Sequence, residues 1–166
     1  RLNAAGHDCQ LAIETSGHAA LKENYFLDDG AYLVTRFLME IAAGRELESL
    51  LTGLREPAES REFRLKILAE DFRAAGTAVL DSLTEYVKEQ PGWSMAPDNC
   101  EGVRVNLDKA HGDGWFLLRL SLHDPILPLN IESDRENGAR TIARELAPFL
   151  AQQTGIDASA ALEFTL

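Results

Sequence analysis

The first stretch whose side chains could bind a ligand is Glu14-Thr15-Ser16-Gly17-His18, which directly follows a short apolar run. A carboxylate can accept hydrogen bonds from two neighbouring hydroxyls of a sugar, and a serine and a histidine each add a donor or an acceptor. Gly17 allows the backbone to turn and to approach a ligand closely. Glu14, Ser16 and His18 are therefore candidates for binding sugar hydroxyls, although the same residue types also suit an ordinary solvated turn.

A second polar stretch, RLSLHDP, begins at Arg119 between two predicted strands. Arg119 and Ser121 are two residues apart, so on a strand both side chains point to the same face of the sheet. A guanidinium can bind a phosphate through two parallel hydrogen bonds, and a hydroxyl and the loop amides add further donors. His123 continues the alternation and donates to an anion when it is protonated. The other interpretation is an ordinary strand end, in which Asp124-Pro125 forms a turn and Arg119 belongs to a surface ion pair.

Length, charge and cysteine content restrict the class of protein. The 166 residues are 45% hydrophobic, which is enough for one substantial core or for one domain plus a piece of another. The net charge is −11 and no run of Lys and Arg exceeds two residues, so no nucleic-acid partner is expected. Cys9 and Cys100 are far apart, which favours free thiols in a reducing cytoplasm. No apolar run reaches 18 residues, so no membrane partner is expected.

Hydrophobic spacing and turn residues predict few elements in the N-terminal third of the chain. These elements are too few to enclose a core, so residues 1–55 are expected to be the end of a larger domain. A chain that begins at Arg1 without methionine is also expected to be a cut-out or processed chain and not a whole translation product. The predicted elements are a strand in CQLAIE (9–14), a helix from a cap at Asp28 or Asp29 to about Ala43, a short helix over 46–54 and a linker, REPAES, over 55–60.

Residues 56–166 are expected to form a second domain of the α+β class, with two helices covering one face of a largely antiparallel sheet. A long segment of near-helical apolar spacing precedes three short segments rich in β-forming residues, and one more helix follows. In order, these are a helix over about 60–89 ended by Pro91-Gly92, strands in EGVRVNL, GWFLLRLSL and ILPLNIES, and a helix capped by Asp134 and ended by Gly155.

Both polar stretches match one protein family, and they do so in the right order. ETSGH followed by DDGAYL resembles the α-D-phosphohexomutases, the phosphoglucomutase/phosphomannomutase superfamily, whose third domain reads sugar hydroxyls with a G-E-x-S-G-H loop. RLSLHDPILPLNIES resembles the phosphate-binding loop of the fourth domain, and EGVRV resembles the strand that precedes it. The resemblance covers about residues 9 to 150. It implies that 1–55 are the α/β tail of the sugar-binding third domain and that 56–166 are a phosphate-binding fourth domain with a TATA-box-binding-protein-like fold.

The resemblance also implies roles for individual residues. Glu14 and Ser16 would bind neighbouring hydroxyls of a hexose, and His18 would line the same pocket. Arg119 and Ser121 would hold the phosphate that is not transferred. The backbone amides around Leu122 to Asp124 would add donors to this phosphate site, and His123 and Asp124 are the last of the expected substrate-binding residues.

The activity implied by the resemblance is an intramolecular phosphoryl transfer that interconverts hexose 1-phosphate and hexose 6-phosphate in the cytoplasm. The family uses a phosphoserine in the first domain, a Mg²⁺ site in the second, and glucose 1,6-bisphosphate as activator and intermediate. Neither a phosphoserine motif nor an Asp-rich metal motif occurs in this chain. The missing N-terminal domains are therefore expected to supply both, and the chain alone is expected to be inactive. The choice between glucose, mannose and glucosamine phosphate stays open.

Two residues depart from the phosphate-loop pattern, which is close to R-x-S-[NG]-T-x-P, and a third adds an unfavourable charge. Leu122 stands where Asn or Gly is usual and carries no side-chain donor, while His123 stands in place of Thr. Asp124 adds a negative charge where an anion would bind. These departures leave a second hypothesis, in which the chain is a non-catalytic anion-binding or assembly module that kept the fold.

Overall fold

The computed structural model describes residues 2–14, 17–97, 99 and 101–166. The candidate residue Ser16 and the cysteine Cys100 lie outside this range, whereas Cys9 is described and has a free thiol. The chain divides into two compact units, Arg1–Arg55 and Glu56–Leu166. Within the described ranges, no helix has the length and apolar character that crossing a membrane requires.

The first unit contains a two-stranded antiparallel hairpin and one long helix. Strand β1 (Leu11–Ile13) pairs with β2 (Ala19–Leu21), and helix α1 spans Gly30–Ala42. Asp29 caps α1, because its carboxylate accepts a hydrogen bond from the backbone N–H of Tyr32 at 3.0 Å. The predicted strand and the predicted helix with its aspartate cap are confirmed. Strand β2 was not predicted, because three residues are too few to show a strand pattern.

Much of the apolar surface of the first unit is exposed. None of the described residues of α1 is buried, and its apolar stripe of Val34, Phe37, Leu38 and Ile41 is 46% to 59% exposed. Every residue of β1 is also exposed, and a two-stranded hairpin has little stability by itself. The unit therefore buries little apolar surface within its own residues. Its short 3₁₀ helices are Asn3–Ala5, Lys22–Asn24 and Leu47–Leu51, the last in place of the helix predicted over 46–54.

The second unit contains a six-stranded sheet in which every neighbouring pair of strands is antiparallel, in the order β4-β5-β6-β7-β3-β8. This sheet and its helices confirm the predicted α+β class. The strands are β3 (Glu59–Ile67), β4 (Trp93–Met95), β5 (Val103–Leu107), β6 (Gly114–Leu118), β7 (Ile126–Ser133) and β8 (Ile156–Asp157). The helices are α2 (Phe72–Val87), α3 (Gly138–Gln152), α4 (Ser159–Glu163) and a 3₁₀ turn at Lys109–His111.

The core lies between one face of this sheet and the helices α2 and α3. Val105, Phe116 and Ile131 are cross-strand neighbours on that face, and none of them is exposed. Leu83 of α2 and Leu146 of α3 belong to the same buried cluster. Fully burying side chains of this size contributes about 1.5 to 3 kcal/mol each to folding. The second unit therefore has an apolar core, whereas the described residues of the first unit bury little apolar surface.

The helix predicted over 60–89 is wrong in its first part, because Glu59–Ile67 form strand β3 and the helix begins only at Phe72. Phe63 and Ile67 are four residues apart, a spacing that fits one helical turn and also fits two positions on the same face of a strand. Leu65 lies between them and is 1% exposed. Alternation at 63, 65 and 67, with charged residues between, is the strand signal.

Helix α3 begins at Gly138, after Asn137, and not after Asp134 as predicted. The N–H of Ala139 in its first turn donates to a carboxylate oxygen of Glu59 at 3.0 Å. The donor and the acceptor are 80 residues apart, so the partner for this helix terminus comes from β3 and has no local sequence signal. The helix ends at Gln152, before the predicted stop at Gly155.

The strand predicted in GWFLLRLSL ends early, at Leu118. Extending the register of β6 on β7 would pair Arg119 with Pro128, and the Arg119 N–H does donate to the Pro128 carbonyl oxygen at 3.1 Å. Proline has no N–H with which to return that hydrogen bond. Regular pairing therefore stops, and residues 119–125 form the connection that we call the β6–β7 loop.

An aspartate–histidine pair holds the turn between β5 and β6. The Asp108 carboxylate accepts hydrogen bonds from the N–H groups of Ala110 and His111 at 2.9 and 3.1 Å, and it lies 2.6 Å from His111 Nδ1. The hydrogen bond from the imidazole lowers the pKa of Asp108. The same hydrogen bond raises the pKa of His111, and the nearby charge of Glu145 adds to this effect.

We expect this pair to make the stability of the chain depend on pH. Because the pKa of His111 is raised in the folded state, its contribution is complete below the ordinary value of 6.5 and is lost as the pH rises through the raised pKa. The lowered pKa of Asp108 adds stability that is complete above 3.8 and is lost as the pH falls through the lowered pKa. The urea concentration at the midpoint of unfolding should therefore decrease as the pH is raised above neutral. In His111→Gln this decrease should be smaller.

The matched control for this experiment is His7→Gln, which removes an exposed histidine of the first unit. It should leave the decline above neutral pH unchanged. A decline of equal size in wild type and His111→Gln would show that the pair does not link folding to protonation.

Candidate functional site

The connection between β1 and β2 brings two of the candidate residues together. The Glu14 N–H donates to the His18 carbonyl oxygen at 2.9 Å, which continues the antiparallel register of Ile13 with Ala19. Residues paired in this way present their side chains to the same face. The Glu14 carboxylate and the His18 imidazole therefore share one face of the hairpin end, while Ser16 between them lies outside the described residues.

An aspartate orients the ring of His18. Its Nδ1 lies 2.8 Å from a carboxylate oxygen of Asp28, and a backbone bridge between Ala20 and Asp28 holds the aspartate beside the hairpin. A carboxylate at Nδ1 places the ring proton there in the neutral imidazole, which leaves Nε2 as a hydrogen-bond acceptor. The sequence indicated Asp28 only as a helix cap, because its spacing from His18 does not reveal the bridge.

The β6–β7 loop contains the remaining candidates. The Ser121 Oγ accepts hydrogen bonds from the N–H groups of His123 at 3.4 Å and Asp124 at 3.2 Å. Two backbone donors therefore converge on one oxygen just beyond the end of the sheet. Convergent backbone donors of this kind also suit an oxygen of a bound anion.

The guanidinium of Arg119 stands at the start of this loop. Among the described residues it has neither a carboxylate within 4.0 Å nor a side-chain hydrogen bond, so the surface ion pair of the alternative interpretation is not observed there. The residue is half-buried. A Cβ added at Gly102 would lie 2.7 Å from the Arg119 Cα, so this glycine makes room for the backbone that carries the guanidinium.

The strand geometry predicted for Arg119, Ser121 and His123 needs correction, because residues 119–125 belong to no strand. Arg119 and Ser121 keep one feature of a strand, since the N–H groups of both donate toward β7. Leu120 between them packs against the core. The N–H of His123 instead turns inward to Ser121 Oγ, so the alternation ends before it reaches the histidine.

Two surface depressions of the described residues do not coincide with these candidates. One of about 270 Å³ lies between α2 and α3, and another of about 370 Å³ lies in the first unit beside His7 and Lys22. Neither is lined by a candidate residue. No group of three or more His, Cys, Asp or Glu side chains in the described ranges could hold a metal ion. These residues therefore do not fit a Mg²⁺ site.

Known proteins resemble this chain over most of its length. It is 29% identical over 157 residues to a phosphomannomutase/phosphoglucomutase of Pseudomonas aeruginosa, a match that covers 93% of this chain and 31% of that protein. It is 30% identical over 130 residues to a phosphomannomutase/phosphoglucomutase of Pseudomonas putida, which covers 76% of this chain and 25% of the relative. The chain therefore spans less than a third of the length of these curated relatives. No family model matches it.

A solved structure shows the same relationship. The crystal structure of a phosphoglucomutase/phosphomannomutase family protein from Burkholderia thailandensis superposes with a TM-score of 0.67 at 26% sequence identity. The superposition covers 94% of this chain and 31% of that one. Sequence and fold therefore agree on the same group of proteins.

Proposed function

Since this chain belongs to the α-D-phosphohexomutase superfamily of phosphoglucomutases and phosphomannomutases and corresponds to its C-terminal portion, we propose that its parent protein is a phosphohexose mutase. The parent would interconvert hexose 1-phosphate and hexose 6-phosphate in the cytoplasm. Its N-terminal domains would supply the phosphoserine and the Mg²⁺ site, with glucose 1,6-bisphosphate as the intermediate. This chain would contribute substrate binding and no group that reacts.

The two units would have separate roles in the parent. We propose that residues 1–55 are the last piece of the sugar-binding domain and that 56–166 are the phosphate-binding domain. The exposed apolar residues of α1 and β1 support the first assignment, because the rest of such a domain would cover them. The buried core of the second unit supports the second assignment, because a domain needs a core of its own.

The β6–β7 loop carries the proposed phosphate-binding role, through a guanidinium with no carboxylate partner in the described ranges beside two convergent backbone donors. Arg119 would donate two hydrogen bonds to a phosphate. The N–H groups of His123 and Asp124 would exchange Ser121 Oγ for phosphate oxygens, and the freed Ser121 hydroxyl would donate as well. Protonated His123 would add a further charge-assisted donor.

The hairpin of the first unit would read the sugar. Glu14 would accept hydrogen bonds from two neighbouring hydroxyls, and Ser16 would add a donor or an acceptor to the same face. His18 would offer its Nε2, with Asp28 holding the other ring nitrogen. These contacts address hydroxyls that glucose and mannose share, so they do not select between the two sugars.

We expect the 166-residue chain to bind phosphate without turning over a sugar phosphate. Phosphoryl transfer needs a positioned nucleophile and charge neutralisation. The proposed contacts only bind the substrate. A coupled assay for conversion of glucose 1-phosphate to glucose 6-phosphate should read background. Titration with inorganic phosphate, followed by backbone amide NMR, should shift the signals of Arg119 and Ser121. Measurable turnover by the chain alone would contradict the proposed division of labour.

Two features of the β6–β7 loop favour a second candidate function, a non-catalytic anion-binding or assembly module. The Leu122 side chain is 68% exposed and has no polar atom, and Asp124 places a carboxylate in the same loop. Titration with glucose 1,6-bisphosphate separates the two functions. Saturable shifts at both the hairpin and the β6–β7 loop support a mutase parent, and silence at both supports an assembly module.

A further inference from the structure

Arg73, in the first turn of α2, is hydrogen-bonded to the β6–β7 loop from outside it. Its Nη2 donates to the carbonyl oxygen of Leu122 at 2.9 Å, across 49 residues of sequence. Its guanidinium also lies 5.3 Å from the centre of the Phe72 ring. Within the described part of the chain, Arg73 has no carboxylate partner. The positive charge is therefore directed at the loop and not at an acidic side chain.

The geometry of one peptide unit gives this hydrogen bond its importance. The carbonyl of Leu122 and the N–H of His123 belong to the same planar trans peptide, so they point in opposite directions. Arg73 holds the carbonyl end, and the N–H end donates to Ser121 Oγ. Fixing the carbonyl therefore fixes the direction of the His123 N–H. A charged donor at the carbonyl also polarises the peptide and makes its N–H a stronger donor.

A second contact docks the loop on the same helix. Gly76 of α2 is buried, and a Cβ added there would lie 2.5 Å from Leu120 Cδ1. The absence of a side chain at this position lets Leu120 approach the helix backbone closely. Leu120 and Leu122 are therefore both held by α2, one through its side chain and the other through its carbonyl.

We propose that Arg73 is a positioning residue for the phosphate-binding loop. Through its hydrogen bond to the Leu122 carbonyl, Arg73 orients and polarises the His123 N–H toward the bound anion. The inference rests on the proposed function of that loop. It explains how the loop works with Leu122, which has no side-chain donor, and with the negative charge of Asp124. The backbone amides then carry more of the anion contact, and their direction is fixed from α2.

The test compares Arg73→Gln and Arg73→Lys with wild type in the 166-residue chain. Without ligand, Arg73→Gln should move the amide signal of His123 in a ¹⁵N–¹H spectrum and accelerate its hydrogen exchange. With inorganic phosphate, Arg73→Gln should weaken binding roughly three- to tenfold, as expected for one lost hydrogen bond. Arg73→Lys keeps a charged donor and should recover most of the affinity.

Arg140→Gln is the matched control, because it removes the same charge from an arginine whose guanidinium lies 5.4 Å from the centre of the Phe164 ring. It should leave both the His123 signal and phosphate affinity unchanged. An unchanged His123 signal in Arg73→Gln overturns the inference. If that signal moves but wild type shows no saturable response to phosphate, the positioning role stands and the phosphate-binding role of the loop is wrong.

Discussion

Replacing Arg119 by glutamine is expected to weaken the binding of inorganic phosphate by about 10- to 100-fold. A charge-assisted hydrogen bond to an anion is worth about 1.5 to 3 kcal/mol, and Arg119 has no carboxylate in the described ranges that would compete for it. The loop amides that remain are held by Ser121 Oγ and must leave it to bind an anion. Isothermal titration of the chain at low and moderate salt measures the loss.

Two further variants separate the geometry of Arg119 from its charge. Arg119→Lys keeps the charge but cannot form two parallel hydrogen bonds, so we expect an intermediate loss of affinity. Arg61→Gln removes a charge from β3, where the guanidinium lies 5.6 Å from the centre of the Phe164 ring, and should have little effect. Equal affinities for wild type and Arg119→Gln would place phosphate binding elsewhere.

The substitution Gly102→Ala is expected to destabilise the chain by about 2 to 4 kcal/mol, because a side chain is strained in the left-handed region and also collides there. The φ angle of Gly102 is +66°, and an added Cβ would clash with the Leu118 carbonyl and lie 2.7 Å from the Arg119 Cα. Relief of that clash moves the backbone that carries the guanidinium. Phosphate affinity should therefore fall together with the urea-unfolding midpoint.

Gly155→Ala is the control for this substitution. Its added Cβ would have no atom within 4 Å, so the free energy of unfolding should change by no more than about 0.5 kcal/mol. If Gly102→Ala were tolerated as well as Gly155→Ala, the close approach of residue 102 to the loop would not be required for the fold.

Local patterns were sufficient for several elements of the fold. The segment ILPLNIES forms β7 over Ile126–Ser133, as its length and its β-forming residues predict. The cap at Asp29 and the length of α1 follow from an aspartate ahead of a helical apolar pattern. In both cases the residues that determine the element lie within the element or beside it.

Other features depend on contacts between distant parts of the chain. The spacing of Phe63 and Ile67 alone fits a helix and a strand equally, and the local alternation that includes Leu65 acts together with pairing to β7 to make the segment a strand. Glu59 reaches the first turn of α3 from 80 residues away. In the candidate site, two contacts likewise cannot be predicted from the spacing of neighbouring residues. They are the pairing of His18 with Asp28 and the hydrogen bond from Arg73 to Leu122.

The missing N–H of Pro128 bears on how much the sequence of the β6–β7 loop can change. Part of the boundary between sheet and loop is set in the neighbouring strand β7, where Pro128 cannot return the hydrogen bond from Arg119. Residues 119–125 can therefore accept substitutions without being absorbed into β6 or shifting its register. Side chains such as Leu122 and His123 can therefore change while the sheet beneath them keeps its pairing.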